Sequence, residues 1–211
     1  MLKNIKKVLV LAPHTDDGEF GCGGTIAKLI DQGIEVFYVA FSSCEESLLP
    51  NFPKDILSTE VKKATLELGI NKKNLFLLNY QVRTFNYKRQ GILDDMINFR
   101  NTLDPDLVFI PSLNDCHQDH STIANEALRA FKFCNILSYE LPWNNFSFSN
   151  TSFCILSKDN LNKKISALKK YKSQAHRSYS STKFIKSLAA VRGVQVGSEY
   201  AEVFEVVRSV F

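Results

Sequence analysis

His14, Asp16, Asp17 and Glu19 crowd the segment PHTDDGEF, directly after the apolar run Val8 to Ala12. Far downstream, His117, Asp119 and His120 form HQDH inside the polar loop SLNDCHQDHS, just past the apolar Leu107 to Ile110. The chain has four histidines, and three of them lie in these two clusters. The fourth, His176, follows a lysine-rich helical stretch and reads as a surface residue. Acids and imidazoles placed past the end of an apolar strand add little to packing. They are the ligand types of zinc and similar divalent metals, whose catalytic sites keep one position open for water. Three ligands drawn from His14, Asp17, His117 and His120, with Asp16 and Asp119 beside them, suit zinc or ferrous iron. Such a metal lowers the pKa of bound water towards ~7 and polarises a carbonyl. A nearby carboxylate can take the water's proton, and an imidazole can stabilise an oxyanion or protonate a leaving amine. This is equipment for hydrolysing an amide.

Positioning these groups is the work of alternating strands and helices. Lys6 to Ala12 and Ile34 to Phe41 are apolar, β-branched runs of strand length. Asn74 to Leu78 and Leu107 to Ile110 are shorter runs of the same kind. Between them, apolar residues repeat at helical spacing: Ile26, Leu29, Ile30; Leu57, Val61, Ala64, Leu68; Ile92, Met96, Phe99, Leu103; and Ile123, Ala127, Phe131. Gly33 and Gly69 stand where C-caps belong, and the first helix is expected to follow the glycines Gly21, Gly23 and Gly24. Four strand-plus-helix units predict a Rossmann-like α/β fold, an open and mostly parallel sheet flanked by helices. In the order 3-2-1-4, strands one and four are neighbours, and their carboxyl ends flank the switch point where open α/β sheets bind ligands. The two polar clusters are therefore expected to converge. Further strands are expected over Asn135 to Glu140, Thr151 to Leu156 and Val203 to Val207. Helices are expected around Leu161 to Leu168 and Phe184 to Val191. With no repeat or linker, residues 1–211 read as a single domain.

PHTDDGEFGCGGT and HQDH resemble the two signatures of the PIG-L/LmbE-like family of metal-dependent N-deacetylases, AHPDD with a Glu and glycine-rich turn, and HPDH. Arg192-Gly193 and Tyr200-Ala201-Glu202-Val203-Phe204 resemble its closing RG…YAE-x-F element. The resemblance implies removal of an acetyl group from an N-acetylglucosamine-type sugar or sugar conjugate. It implies His14, Asp17 and His120 as ligands of a divalent metal, zinc before ferrous iron. It further implies Asp16 as general base, and His117, oriented by Asp119, as oxyanion stabiliser or general acid. Arg83 and Arg89, in QVRTFNYKRQ after the third strand, are the candidates for substrate contact. Thr15 stands where the family has Pro, which removes a rigid φ and predicts a looser turn.

Plainer readings compete with each of these. Asp16-Asp17 could simply cap a helix. Gly21-Cys22-Gly23-Gly24 between a strand and a helix could cradle a dinucleotide, although the preceding acids would repel a pyrophosphate. A metal-dependent phosphoesterase is a further alternative. Trp143 and Tyr139 wall a pocket or fill core, and Cys116 lacks a base that would make it a nucleophile.

The five cysteines are scattered and odd in number, which argues against a disulfide framework and for a reducing, cytoplasmic location. Lys3, Lys6 and Lys7 precede an apolar run too short for a signal sequence, and nothing approaches the ~20 apolar residues of a membrane span. Ser157 to Arg192 holds ten Lys or Arg against the single acid Asp159, within a net charge of +4. This basic third would favour an anionic substrate or a membrane surface, but a solvated lysine-rich helix face is the weightier reading. The expected partner is a small amino-sugar substrate, neutral or anionic. Nucleic acid is not expected, and a homo-oligomer remains open.

Overall fold

The computed structural model describes residues 5–210, so that Lys3 lies outside the described residues. The chain runs β1 (Lys7–Ala12), α1 (Asp17–Asp31), β2 (Glu35–Ala40), α2 (Ile56–Leu68), β3 (Leu75–Leu77), α3 (Arg89–Leu103), β4 (Leu107–Pro111), α4 (Gln118–Ala130), β5 (Asn135–Tyr139), β6 (Ser152–Leu156), α5 (Lys158–Leu168), α6 (Thr182–Val194) and β7 (Tyr200–Arg208). The seven strands form one sheet in the order β3-β2-β1-β4-β5-β7-β6. The first five pair in parallel, and β7 runs antiparallel to both β5 and β6. The expected neighbouring of strands one and four is present, with Val8 to Val10 opposite Leu107 to Phe109.

The alternation of β1 divides the core. Val8, Val10 and Ala12 face a cluster with residues of α1, α2, α5 and α6, including Ile26, Val61, Leu161 and Ile185. Leu9 and Leu11 face α3 and α4 through Ile92, Met96, Ile123 and Ala127. A central parallel strand buried on both faces must be apolar throughout, as this one is.

The glycines do not precede α1; they lie inside it. The helix starts at Asp17 and is interrupted at Cys22, with φ −142° and ψ 22°. A break there frees N–H groups that the α-helical ladder would have used. Glu202 of β7 takes them: its carboxylate accepts from Gly24 N at 2.9 Å and from Thr25 N at 2.6 Å. Thr25 Oγ1 also donates to it at 2.6 Å, and Lys164 Nζ, itself buried, balances its charge at 2.6 Å. The closing YAE element is thus the clamp that holds the kinked helix.

Small residues are required on this helix because its neighbours come close. A Cβ on Gly18 would meet the Tyr38 ring at 2.6 Å, and one on Gly21 would overlap the Tyr139 ring. Gly21→Ala should therefore destabilise the protein despite the ~1 kcal/mol that Ala gains over Gly in a helix, since overpacking costs ~1–3 kcal/mol. A thermal melt should show a midpoint lowered by about 2–4 °C per net kcal/mol. A raised midpoint would mean that the Tyr139 ring yields freely.

The charge asymmetry of the sequence closes in three dimensions. Within the basic third, Lys163 pairs with Asp31 at 2.7 Å and Lys170 with Glu67 at 2.8 Å. Lys164 pairs with Glu202, and Arg192 with Glu140. Much of it serves to tie α5 and α6 to the rest of the molecule. No helix among the described residues is long and apolar enough to cross a membrane.

Candidate metal centre

The ends of β1 and β4 and the first turns of α1 and α4 meet at the switch point, and two imidazole nitrogens and a carboxylate oxygen there form a nearly equilateral triangle. His14 Nδ1 lies 3.1 Å from Asp17 Oδ2. His120 Nε2 lies 3.1 Å from Asp17 Oδ2 and 3.1 Å from His14 Nδ1. Donors bound at ~2.05 Å to a tetrahedral ion sit about 3.3 Å apart, so the spacing suits zinc-like coordination with the fourth corner open.

The outward nitrogens decide what faces inward. His120 Nδ1 is 2.8 Å from the buried Asp115 carboxylate, and His14 Nε2 is 3.1 Å from that of Asp119. With its N–H donated to that carboxylate, each imidazole would turn a lone pair into the triangle, the arrangement that fixes the tautomer of metal-binding histidines. In that tautomer three acceptors meet at 3.1 Å, a donor set that fits a divalent metal. The electrostatics favour a positive charge at this point, whether a proton or a metal ion. Burial alone would lower the His120 pKa, but Asp17 and Asp115 outweigh it and hold it at about 10. Asp17 is buried as well, yet His120 and His14 hold its carboxyl well below the ordinary range.

His117 offers a competing ligand set, because its ring nitrogen lies within 4.8 Å of those of His14 and His120. The shorter triangle with Asp17 is the better cage. In addition, His117 Nδ1 accepts the Asp119 backbone N–H at 3.2 Å, so a neutral His117 carries its proton on Nε2 and is a donor. Burial, with His120 and His14 nearby, pushes its pKa down to about 4. Asp119 meets His117 through its backbone N–H. The backbone of Asp119 holds His117, while its carboxylate serves His14 and accepts the N–H groups of Arg83 at 2.6 Å and Phe85 at 3.3 Å.

Asp16 stands at the N-cap of α1 but makes no capping hydrogen bond. The capping reading is therefore set aside for it: its carboxylate lines the cleft above the triangle. Burial and the neighbouring Asp17 raise its pKa to about 6. Below the motif, the Tyr38 and Tyr171 hydroxyls bridge the Thr15 carbonyl, at 3.1 and 2.7 Å, to the buried Glu19. This holds the turn that lacks the family's Pro, so the predicted loosening is countered by two tyrosines.

The cleft measures about 340 Å³. Arg83 lines it, as do Trp143, Asn144, Gln174, Arg177 and Tyr179. Arg89 does not: its guanidinium pairs with the buried Glu126 at 2.6 Å, one α3–α4 contact among several. Trp143 stacks on Tyr179 with ring centroids 3.9 Å apart, whereas Tyr139 is core, its hydroxyl donating to the Leu11 carbonyl at 3.0 Å. Cys116 is a free, exposed thiol and His176 is exposed. The dinucleotide-loop reading fails, because the glycines are buried in a helix and carboxylates occupy its N-terminus.

Asp115, Arg177, Gln174 and Tyr179 were not among the expected site residues. An acid five positions before His120, in the loop that leads into α4, was the available signal for Asp115. Arg177 and its neighbours carry no motif and reach the cleft only through the packing of α5. Asp115→Asn should weaken metal binding about 10–100-fold, since its amide would face His120 Nδ1 and favour the wrong tautomer. Metal titration checks this; unaltered affinity would free Asp115 from that role.

A switch-point cleft with a His–Asp–His triangle and an adjacent carboxylate, on a Rossmann-like fold, has the donor set of a divalent-metal site. The sequence profile of the family described as PIG-L, GlcNAc-PI de-N-acetylase, matches residues 9–131, more than half of the chain, and the protein belongs to that family. It is 26% identical over 174 residues to the protein named uncharacterized deacetylase YaiS of Escherichia coli K12, covering 80% of this chain and 91% of that one. Its fold is similar to that of N,N'-diacetylchitobiose deacetylase from Pyrococcus horikoshii, with TM-score 0.82, 24% identity and coverage of 97% and 85%. It is also similar to the 4-carboxy-2-hydroxymuconate hydratase GalB of Pseudomonas putida, with TM-score 0.80, 19% identity and coverage of 98% of each chain. The fold alone therefore does not name the reaction.

Proposed function

We propose that the protein is a metal-dependent N-deacetylase that hydrolyses the acetamide of an N-acetylated amino sugar or sugar conjugate, with residues 1–211 acting as one catalytic domain. The observation that carries this reading is the triangle of His14 Nδ1, Asp17 Oδ2 and His120 Nε2, each imidazole backed by a buried carboxylate. The deacetylase names of its relatives support the bond type. Zinc is the first choice and ferrous iron the second, on the imidazole and carboxylate donor set.

When bound, the metal would supply Lewis acidity, acidifying water and polarising the acetyl carbonyl. Asp16, free of any capping bond, accepts the proton of the attacking water and makes it available to the leaving nitrogen. His117 presents its Nε2–H to the oxygen that becomes negative as the tetrahedral carbon forms. Asp115 and Asp119 keep His120 and His14 in the required tautomers. The products are acetate and a free amine. The five cysteines are free thiols, which supports a reducing, cytoplasmic setting.

Acetate and phosphate release are assayed side by side on N-acetylated sugars and sugar phosphates with the metal-loaded protein. Acetate release with matching free amine is expected. Phosphate release without acetate would transfer the site to phosphoester hydrolysis.

A further inference from the structure

β3 stands at the edge of the sheet and pairs only with β2. Leu78 N donates to the Ala40 carbonyl at 2.8 Å and Tyr80 N to the Phe41 carbonyl at 3.0 Å, so the even-numbered residues bond towards β2. Peptide groups alternate along a strand, which turns the N–H and C=O of Leu77 to the open side. Among the described residues nothing bonds to that N–H. Leu75, Phe76, Leu77 and Leu78 are half-buried apolar residues along this edge, and an open edge of that composition is a template for another strand.

A groove of about 520 Å³ lies between this edge and α2. Its apolar lining includes Leu75, Leu77 and the exposed Leu66. Lys62, Lys63 and Lys72 line it as well; all three are exposed, and among the described residues none forms an ion pair. The two acids of α2 are engaged elsewhere, Glu60 by Ser173 and Glu67 by Lys170. Lysines on an edge strand itself serve to keep other strands away. Lys62 and Lys63 stand on α2 instead, on the helix side of the groove. Three unbalanced positive charges around an apolar trough complement an occupant that is both apolar and acidic. The groove shares no lining residue with the metal cleft.

We infer that the β3 edge and its groove dock an extended segment of a partner protein, apolar in the middle and acidic at its flanks. The segment lies along β3 as a further strand, accepts the Leu77 N–H, and sets its carboxylates against the lysines. Fluorescence anisotropy tests this with a labelled peptide of four valines between glutamate triplets, and with its counterpart carrying lysine for glutamate. Both are titrated into wild type, the double variant Lys62→Glu with Lys63→Glu, and Leu77→Pro. Proline is tolerated on an edge strand where the N–H faces outward, and it removes the docking donor. Wild type should bind the acidic peptide saturably and leave the basic one unbound. The double reversal should weaken that binding about tenfold, and added salt should weaken it too. Leu77→Pro should weaken it severalfold, the loss of one hydrogen bond. A thermal melt checks that each variant is folded, and the double reversal decides alone if the proline variant is not. No saturable binding, equal binding of the two peptides, or binding unchanged in the double reversal overturns the proposal. Binding that falls on reversal but holds in a folded Leu77→Pro overturns the added strand. Dimers of the free protein that dissociate on the double reversal, seen by sedimentation, give the groove to a second copy and overturn the partner.

Discussion

Asp16→Asn is expected to lower acetate release by ~10²–10⁴-fold while metal content stays close to that of wild type. The two effects separate because Asp16 lines the cleft but is not a corner of the His14–Asp17–His120 triangle. Asn has nearly the same shape and removes only the basic oxygen. The helix should not suffer, since Asp16 makes no capping hydrogen bond and Asn is at least as good a cap. A merely structural Asp16 would instead show in the melting midpoint. Acetate kinetics, elemental analysis and a thermal melt on one preparation separate these outcomes. Activity within a few-fold of wild type would mean that another group takes the proton.

His120→Ala should act on the opposite quantity, bound metal. It deletes one donor of three and takes one partner from each of the buried Asp115 and Asp17, which keep the backbone N–H groups of His117 and His14. A hydrogen bond to a charged group is worth ~1.5–3 kcal/mol, so some loss of stability is expected as well. The decisive readout is the rise in melting midpoint when metal is added. For wild type, metal at about a hundred times its Kd adds ~2.7 kcal/mol, and the variant should lose most of that increment. Elemental analysis should show stoichiometry falling with it. Full stoichiometry in His120→Ala would sink the ligand assignment and favour a cage built on His14, Asp17 and His117.

The parts of the site that were legible are those fixed by strand counting. An apolar run ending in HTDD and another ending in a loop with HQDH had to meet once β1 and β4 were neighbours, and they do. What stayed hidden depends on partners distant in the chain. Gly21, Gly23 and Gly24 look like helix breakers locally, yet they lie inside α1 because Glu202 takes the N–H groups freed at Cys22. Asp119 sits beside His117 in sequence, but its carboxylate turns to His14 because the first turn of α4 aims it there. Arg89 is basic and near the right loop, and Glu126 of α4 claims it. Arg177 lies outside every motif and reaches the cleft through the packing of α5 against α1 and α2. Motif spacing brings the imidazoles and acids together; it does not read which carboxylate backs which imidazole.

The central claim is that His14, Asp17 and His120 hold a metal whose presence permits amide hydrolysis in this cleft. The most direct measurement is acetate release from an N-acetylated amino-sugar probe by one preparation, first stripped with a chelator and then reloaded with zinc or ferrous iron. The account predicts loss of acetate release on stripping, recovery at about one equivalent of metal, and one free amine for each acetate. Acetate release that is indifferent to the chelator, or none from the reloaded protein on any N-acetyl sugar, would contradict it.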